Sequence, residues 1–338
     1  MGLFILNHTS VLPESFQKRE LLKTPQASYC WGYLTLDRDS KFYPSRSDER
    51  VMRTDVIASI IAINTLIEDL DLKPGIENYN LFVSNGSFVE DNQKSFERIT
   101  NAYRALQPQM NIEEKQSKIY KSIPPLLALE TLTNSTMSYI AQYTGFKSHN
   151  FTIGNTSISG VHLLNEAKKN LCNNPTSFLI SSNCSGDQSY LSNSSLFSNR
   201  ENWKESMAVG CLIVKNTESK PKEAIAQITK IITSNKVPSL EENKIRMNWR
   251  YLIPDNKANY LIFSGAFTKD QYLQDLQYCN QICKKSFSYY PEYGNLGASN
   301  IILSVIKAIQ LINKDHQIID VLDRDVFGRE SLIRIERC

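Results

Sequence analysis

The chain has 338 residues, 38 Lys and Arg against 35 Asp and Glu, and a formal net charge of +3. That length suits one large domain or two fused units of roughly 150–170 residues, and 41% hydrophobic with 22% charged residues excludes wholesale disorder. The near-balance of charge gives no support to a nucleic acid as the main partner, and four histidines leave little material for metal or acid–base chemistry.

In chain order, residues 3–6 form a short apolar run that predicts a buried strand. Val56, Ile60, Ile63, Ile67 and Leu70 recur at helical spacing within 51–72, and Pro74-Gly75 closes that helix. Residues 79–84 predict a strand that turns out at Asn85-Gly86. A helix over 126–143, a strand over 151–153, a helix over 159–171 and a strand over 178–181 follow. Residues 210–214 and 224–232 are apolar stretches separated by KNTESKPKE, which reads as a hairpin or as the linker between halves. A buried strand at 260–263, a helix at 268–283, a strongly apolar helix at 298–312 and a strand at 331–335 complete the pattern. Alternation of this kind predicts α/β layers, a buried sheet covered by helices. Strand, small-residue turn, helix and strand recur in both halves, which suits two similar half-domains.

Mean hydropathy is −0.34, and no stretch approaches the ~18 apolar residues of a membrane span. The opening residues carry no basic leader, and Leu6 breaks the myristoylation pattern after Gly2. The seven cysteines are scattered without metal-binding spacing, so no metal or cofactor is expected. Cys279 and Cys283 would share one helix face as core thiols. A cytoplasmic location follows from that cysteine usage.

The densest stretch is FTIGNTSISGVHLLNEAKKNL, residues 151–171. A strand ends, a turn of small residues follows, and a helix begins. Its elbow presents Ser157 at a helix N-terminus, where the dipole favours negative charge. On residues alone the elbow is either a helix cap and turn or the seat of a serine nucleophile. The nucleophile needs a base, and His8, His149, His162 and His316 lie in no recognisable motif. No G-x-S-x-G surrounds Ser157.

The span 123–185 resembles the β-ketoacyl synthase family, the condensing enzymes of the thiolase superfamily. Asn134, Gly145, Ser159, Gly160 and Val161 match its pattern without a gap, and Ser157 stands where the family has its nucleophilic cysteine. Residues 3–13, 53–72 and 208–215 look like the family's opening strand, first long helix and strand ending the first half. YGNLGASNIILSVIKAI, residues 293–309, looks like its late GHxxGA helix start, with Asn295 in the histidine's place. The resemblance implies a five-layered αβαβα thiolase-like fold of two similar halves, 1–215 and a shortened 216–338.

The departures are chemical. A serine hydroxyl is not ionised without a base, and YLIFSGAFTKDQ, residues 260–271, has no histidine where the family carries its first one; Ser264 or Gly265 occupies the place. The late glycine-rich loop is reduced to VFGRES, residues 326–331. No catalytic residue is therefore expected, and Ser157, Gly265 and Asn295 are degenerate positions. The resemblance is then to the chain-length factor, the inactive ketosynthase-like subunit of type II polyketide synthases. It implies a heterodimer with an active ketosynthase, an acyl carrier protein as transient partner, and a polyketide tunnel bounded at the interface by Thr131, Thr133, Asn134, Met137 and Tyr139. Such a chain is not expected to act alone; aromatic polyketides and aryl polyenes both use such pairs. The alternative is a thiolase-fold acyltransferase or esterase with Ser157 as nucleophile and His149 or His162 as base. Lys168-Lys169, Lys284-Lys285 and Arg246 with Arg250 are candidate contacts for an acidic carrier or solvated faces.

Overall fold

The structure, a computed structural model, describes residues 1–21, 24–86, 101–123, 133–154, 157–170, 174–183, 203–234, 258–266, 269–283, 285–312, 317–325 and 329–338. Ten strands form one sheet. In the first half these are β1 (Gly2–Val11), β4 (Asn80–Asn85), β5 (Asn150–Gly154), β6 (Thr176–Asn183) and β8 (Ala208–Thr217). In the second they are β9 (Ala226–Ser234), β10 (Tyr260–Ser264), β11 (Ser286–Phe287), β12 (Ile318–Arg324) and β13 (Glu330–Arg337). A separate small sheet joins β2 (Ser15–Leu21), β3 (Thr24–Tyr33) and β7 (Trp203–Ser206).

The order across the large sheet is β5-β4-β6-β8-β1, then β9-β13-β12-β10-β11. Counted within its own half and read from its outer edge inward, each set runs third, second, fourth, fifth, first. The directions repeat as well: the second strand is parallel to the third and fourth, and the fifth is antiparallel to both its neighbours. The two sets meet where Leu3, Phe4 and Ile5 pair antiparallel with Ile228, Gln227 and Ala226. The weak echo in the sequence is thus one topology used twice. The second copy is threaded in 226–337, against 2–217 for the first.

Helices complete the layers. These are α1 (Arg46–Glu49), α2 (Thr54–Asp69), α3 (Ile112–Ser122), α4 (Thr133–Thr144), α5 (Ser159–Lys169), α6 (Lys269–Ile282), α7 (Tyr290–Tyr293) and α8 (Asn300–Leu311). Strand alternation sends successive side chains to opposite faces, so neighbours in one strand belong to different cores. Leu81 and Val83 meet Ile60, Ile63 and Ile140 of α2 and α4 on the outer face. Phe82, between them, faces inward to Val161 and Leu164 of α5 and to Ile301 and Ile302 of α8. In the second half Ile262, Val321 and Ile333 face the same central helices, while Leu261, Phe263 and Leu322 turn out to Cys279 of α6. The result is helix, sheet, helix, sheet, helix: the five layers expected. α8 is apolar nearly all round because it is packed between the two halves of the large sheet. It approaches α5 closely: a Cβ at Gly160 would stand 2.9 Å from the Cβ of Ile301.

Several sequence expectations are revised. The stretches at 210–214 and 224–232 are not a hairpin: β8 and β9 both pair with β1, on opposite sides of it, so the charged segment between them links the halves. The helix of 51–72 runs Thr54–Asp69, and that of 298–312 opens with a 3₁₀ turn, Gly297–Ser299, before α8. Strands β2, β3, β7, β11 and β12 and helices α1, α3 and α7 lie outside the sequence expectations. The stretch 126–132 lies outside the described residues.

Candidate functional site

The elbow is built where the two halves meet. Ser157 lies just ahead of α5 and is 3% exposed. Its hydroxyl donates to Asp323 Oδ2 at 2.7 Å. Asp323 lies in β12, in register with Ser264 of the parallel neighbour β10, and Ser264 Oγ donates to Asp323 Oδ1 at 2.5 Å. The alternation explains the placement. Asp323 and Ser264 are each two residues beyond an inward-facing apolar side chain, Val321 and Ile262, so both face the central layer where the elbow sits. All three groups are buried. Burial raises the Asp323 carboxyl to about 6, against the two serine hydrogen bonds, which favour its charged form.

The sequence-predicted positions are brought together in part. Ser157 and Ser264 are joined through Asp323, a residue the sequence reading did not single out. Gly265 carries φ +89°, and a Cβ there would run into the Arg324 backbone. Of the two residues in the first histidine's place, it is therefore Ser264 whose side chain reaches the elbow. Asn295 is 2% exposed, and its Oδ1 accepts from Gly297 N (2.6 Å) and Asn300 Nδ2 (2.9 Å). It thereby shapes the turn into α8. Its Nδ2 has no hydrogen-bond partner among the described residues.

Neither candidate imidazole lies on the elbow hydroxyl. His149 is exposed, its ring edge-on to Phe82 at 5.4 Å. His162 is exposed on α5, its pKa lowered by partial burial and by the charges of Arg329 and Lys169. His8 lies in β1 opposite Leu212; His316 lies outside the described residues. No group of three His, Cys, Asp or Glu side chains arranged to hold a metal occurs among the described residues. Nor is any helix among them long and apolar enough to cross a membrane.

Of the tunnel candidates, Asn134 is exposed, and Met137 and Tyr139 are partly buried against the α2–α4 core. Thr133 begins α4, and Thr131 lies outside the described residues. α4 packs along β4 and β5, and β5 is one of the two edge strands of the large sheet. The buried member of this stretch is Thr136, whose Oγ1 accepts from Arg53 Nη2 (3.1 Å) and Asn85 Nδ2 (3.3 Å). Arg53 is itself held by Asp55 through two bonds of 3.0 Å. Thr136→Val, nearly the same shape, removes one buried acceptor from each of these donors and is expected to cost about 1–3 kcal/mol in a denaturant titration. A loss under a few tenths would show that the hydroxyl is idle.

Cys279 is buried in the α6 core, and Cys283 follows the helix end with its thiol on the Ala258 carbonyl at 3.8 Å. Lys168 and Lys169 are exposed at the end of α5. Lys284, Arg246 and Arg250 lie outside the described residues.

No family model and no curated protein matches the sequence. Solved structures do. A type II polyketide synthase ketosynthase, solved with its acyl carrier protein and a hexaketide, aligns with a TM-score of 0.68 at 13% identity, over 100% of this chain and 99% of its own. The ishigamide ketosynthase/chain length factor aligns at 0.70 and 12%, with the same coverage. A β-ketoacyl synthase from Burkholderia phymatum aligns at 0.66 and 10%, again over 100% and 99%. This chain has the ketosynthase fold. At such identities the likeness speaks for architecture. Within the ketosynthase fold, Ser157 and Ser264 stand on strand and helix ends that face each other across the halves, and in this chain a carboxylate fills the gap between them.

Proposed function

We propose that this chain is a non-condensing subunit of the chain-length-factor kind. It pairs with an active ketosynthase in a type II polyketide synthase, meets an acyl carrier protein, and bounds the partner's polyketide tunnel. One observation carries the reading: the elbow side chain is a buried serine hydrogen-bonded to a carboxylate, with no imidazole among the described residues on it. Condensation needs a group that takes an acyl chain and others that support decarboxylation and hold the resulting charge. The Ser157–Asp323–Ser264 arrangement puts a hydroxyl where an acyl-accepting thiolate is needed, and a carboxylate and a second hydroxyl where a neutral donor must hold developing negative charge. The edge strand β5, with α4 along it, supports pairing through that side, and the α4 candidates Thr133, Asn134, Met137 and Tyr139, with Thr131 ahead of them, are the proposed tunnel wall. A division at 215/216 and a cytoplasmic location complete the proposal; Cys211, Cys279, Cys283 and Cys338 are free thiols.

The alternative, an acyltransferase or esterase with a histidine base, gains nothing from His149 or His162 where they stand. Reconstitution tests the leading reading. The isolated chain should not condense malonyl thioesters, and its cognate ketosynthase should make a different product length without it. Met137→Trp should shorten the product and Met137→Ala lengthen it, because tunnel volume limits the units added. Condensation by the chain alone, or an unchanged product in its absence, would sink the proposal.

A further inference from the structure

This inference deepens the silent-subunit reading and rests on it. Ser157 and Asp323 are in hydrogen-bond contact at 2.7 Å, so whatever stands at position 157 shares its space with a carboxylate oxygen. The other carboxylate oxygen is held by Ser264 at 2.5 Å, which fixes the group's orientation. Ser157 also precedes α5, eleven residues long. A helix N-terminus normally stabilises an anion there and lowers the pKa of a thiol. A carboxylate in contact acts in the opposite direction, because like charges repel and the repulsion grows as water is excluded. Asp323 is 0% exposed and Ser157 3%.

The neighbouring charges do not cancel this repulsion. Arg324 attracts Asp323, but less than Asp325 repels it, because it projects to the opposite face of β12, where its guanidinium meets both oxygens of Asp275 at 2.8 and 3.1 Å. Asp325 adds a second negative charge near Asp323 and is itself paired with Arg329 at 2.5 Å. We propose that Asp323 is a positioning residue that actively disarms the elbow: it ties up the Ser157 hydroxyl and places a fixed negative charge where a nucleophilic anion would have to form. The silence of position 157 then has two causes, the missing thiol and the carboxylate beside it. Restoring a thiol alone does not restore a thiolate.

The test compares Ser157→Cys with Ser157→Cys/Asp323→Asn. The readout is the pH dependence of thiolate ultraviolet absorbance, taken as the difference from the matching Ser157 chains so that the native cysteines cancel. The single variant should ionise above the ordinary cysteine value of about 8.5. The double variant should ionise about 1–3 pH units lower than the single, with at least a roughly tenfold gain in thiolate at neutral pH. A purely structural role for Asp323 would not move this midpoint. Equal midpoints, or a lower one in the single variant, overturn the proposal. Should the Asn variant not fold, Asp323→Ser supplies the neutral comparison. Should neither fold, the single variant decides, since a midpoint at or below the ordinary value overturns it. Equal midpoints leave the partner-subunit reading standing, and a failed reconstitution leaves this measurement standing.

Discussion

Gly265→Ala is expected to cost about 4 kcal/mol or more of folding stability, whereas Gly75→Ala should cost only about 1 kcal/mol. Both glycines have positive φ, +95° at Gly75 and +89° at Gly265, so the intrinsic backbone penalty is similar. Their surroundings differ. At Gly75 the nearest atom to an added Cβ is Asn78 Nδ2 at 3.9 Å, ordinary contact distance. At Gly265 the Cβ would overlap the Arg324 carbonyl oxygen and stand 2.7 Å from its carbonyl carbon and 2.9 Å from its nitrogen. Those are backbone atoms of a buried strand and cannot swing aside. Accommodation requires β10 and β12 to part at their ends, where Ser264 and Asp323 meet. Paired urea titrations of the two variants check this. Equal losses would mean that the Gly265 turn can relax and that the contact does not constrain the site.

The elbow was legible in the sequence because it is local. Small residues in one short turn, between an apolar strand and an amphipathic helix, announce Ser157 and α5 without any tertiary information. The layered class was legible for a similar reason, since continuous runs such as those in β4 and β10 are typical of strands buried on both faces. Asp323 was not legible. It lies in IIDVLDR, where Asp320, Asp323 and Arg324 interrupt the apolar pattern, so the stretch reads as polar. Each of those charges is buried against a partner far away in sequence: Asp320 on Arg334 at 2.8 Å, Arg324 on Asp275, and Asp323 under two serine hydroxyls. Long-range pairing made a strand out of residues that individually prefer water. The role of the charged 216–223 segment was hidden likewise, because whether β8 and β9 pair with each other or flank β1 is decided by β1.

Arg324→Ala should cost about 3–5 kcal/mol at pH 8, and the loss should shrink on acidification. Arg324 and Asp275 are 2% and 0% exposed, so removing the guanidinium strands a carboxylate away from water. Burial raises Asp275 to about 7 against the pull of Arg324, and raises Asp323 to about 6. Both folded values lie above the ordinary 3.8, so the folded chain holds protons that the unfolded chain releases. The stability from these two groups is therefore fully present below about pH 4 and is lost as pH rises through about 6 and 7. In the variant, Asp275 lacks the attraction of Arg324 that opposes burial and stays protonated to still higher pH. At pH 5 its neutral carboxyl needs no cation, and the missing arginine matters less. Urea titrations at pH 5 and pH 8 separate the two; an identical loss at both would mean that Asp275 keeps its charge in the fold. Replacing the pair together, Arg324→Met with Asp275→Leu, should recover most of the stability, since an apolar pair needs no desolvation. If Asp323 still sits under Ser157 in that double variant, hydrogen bonds to Ser264 and the register of β12 are enough to hold it there. If it does not, the salt bridge on the back of the strand is what aims the carboxylate at the elbow.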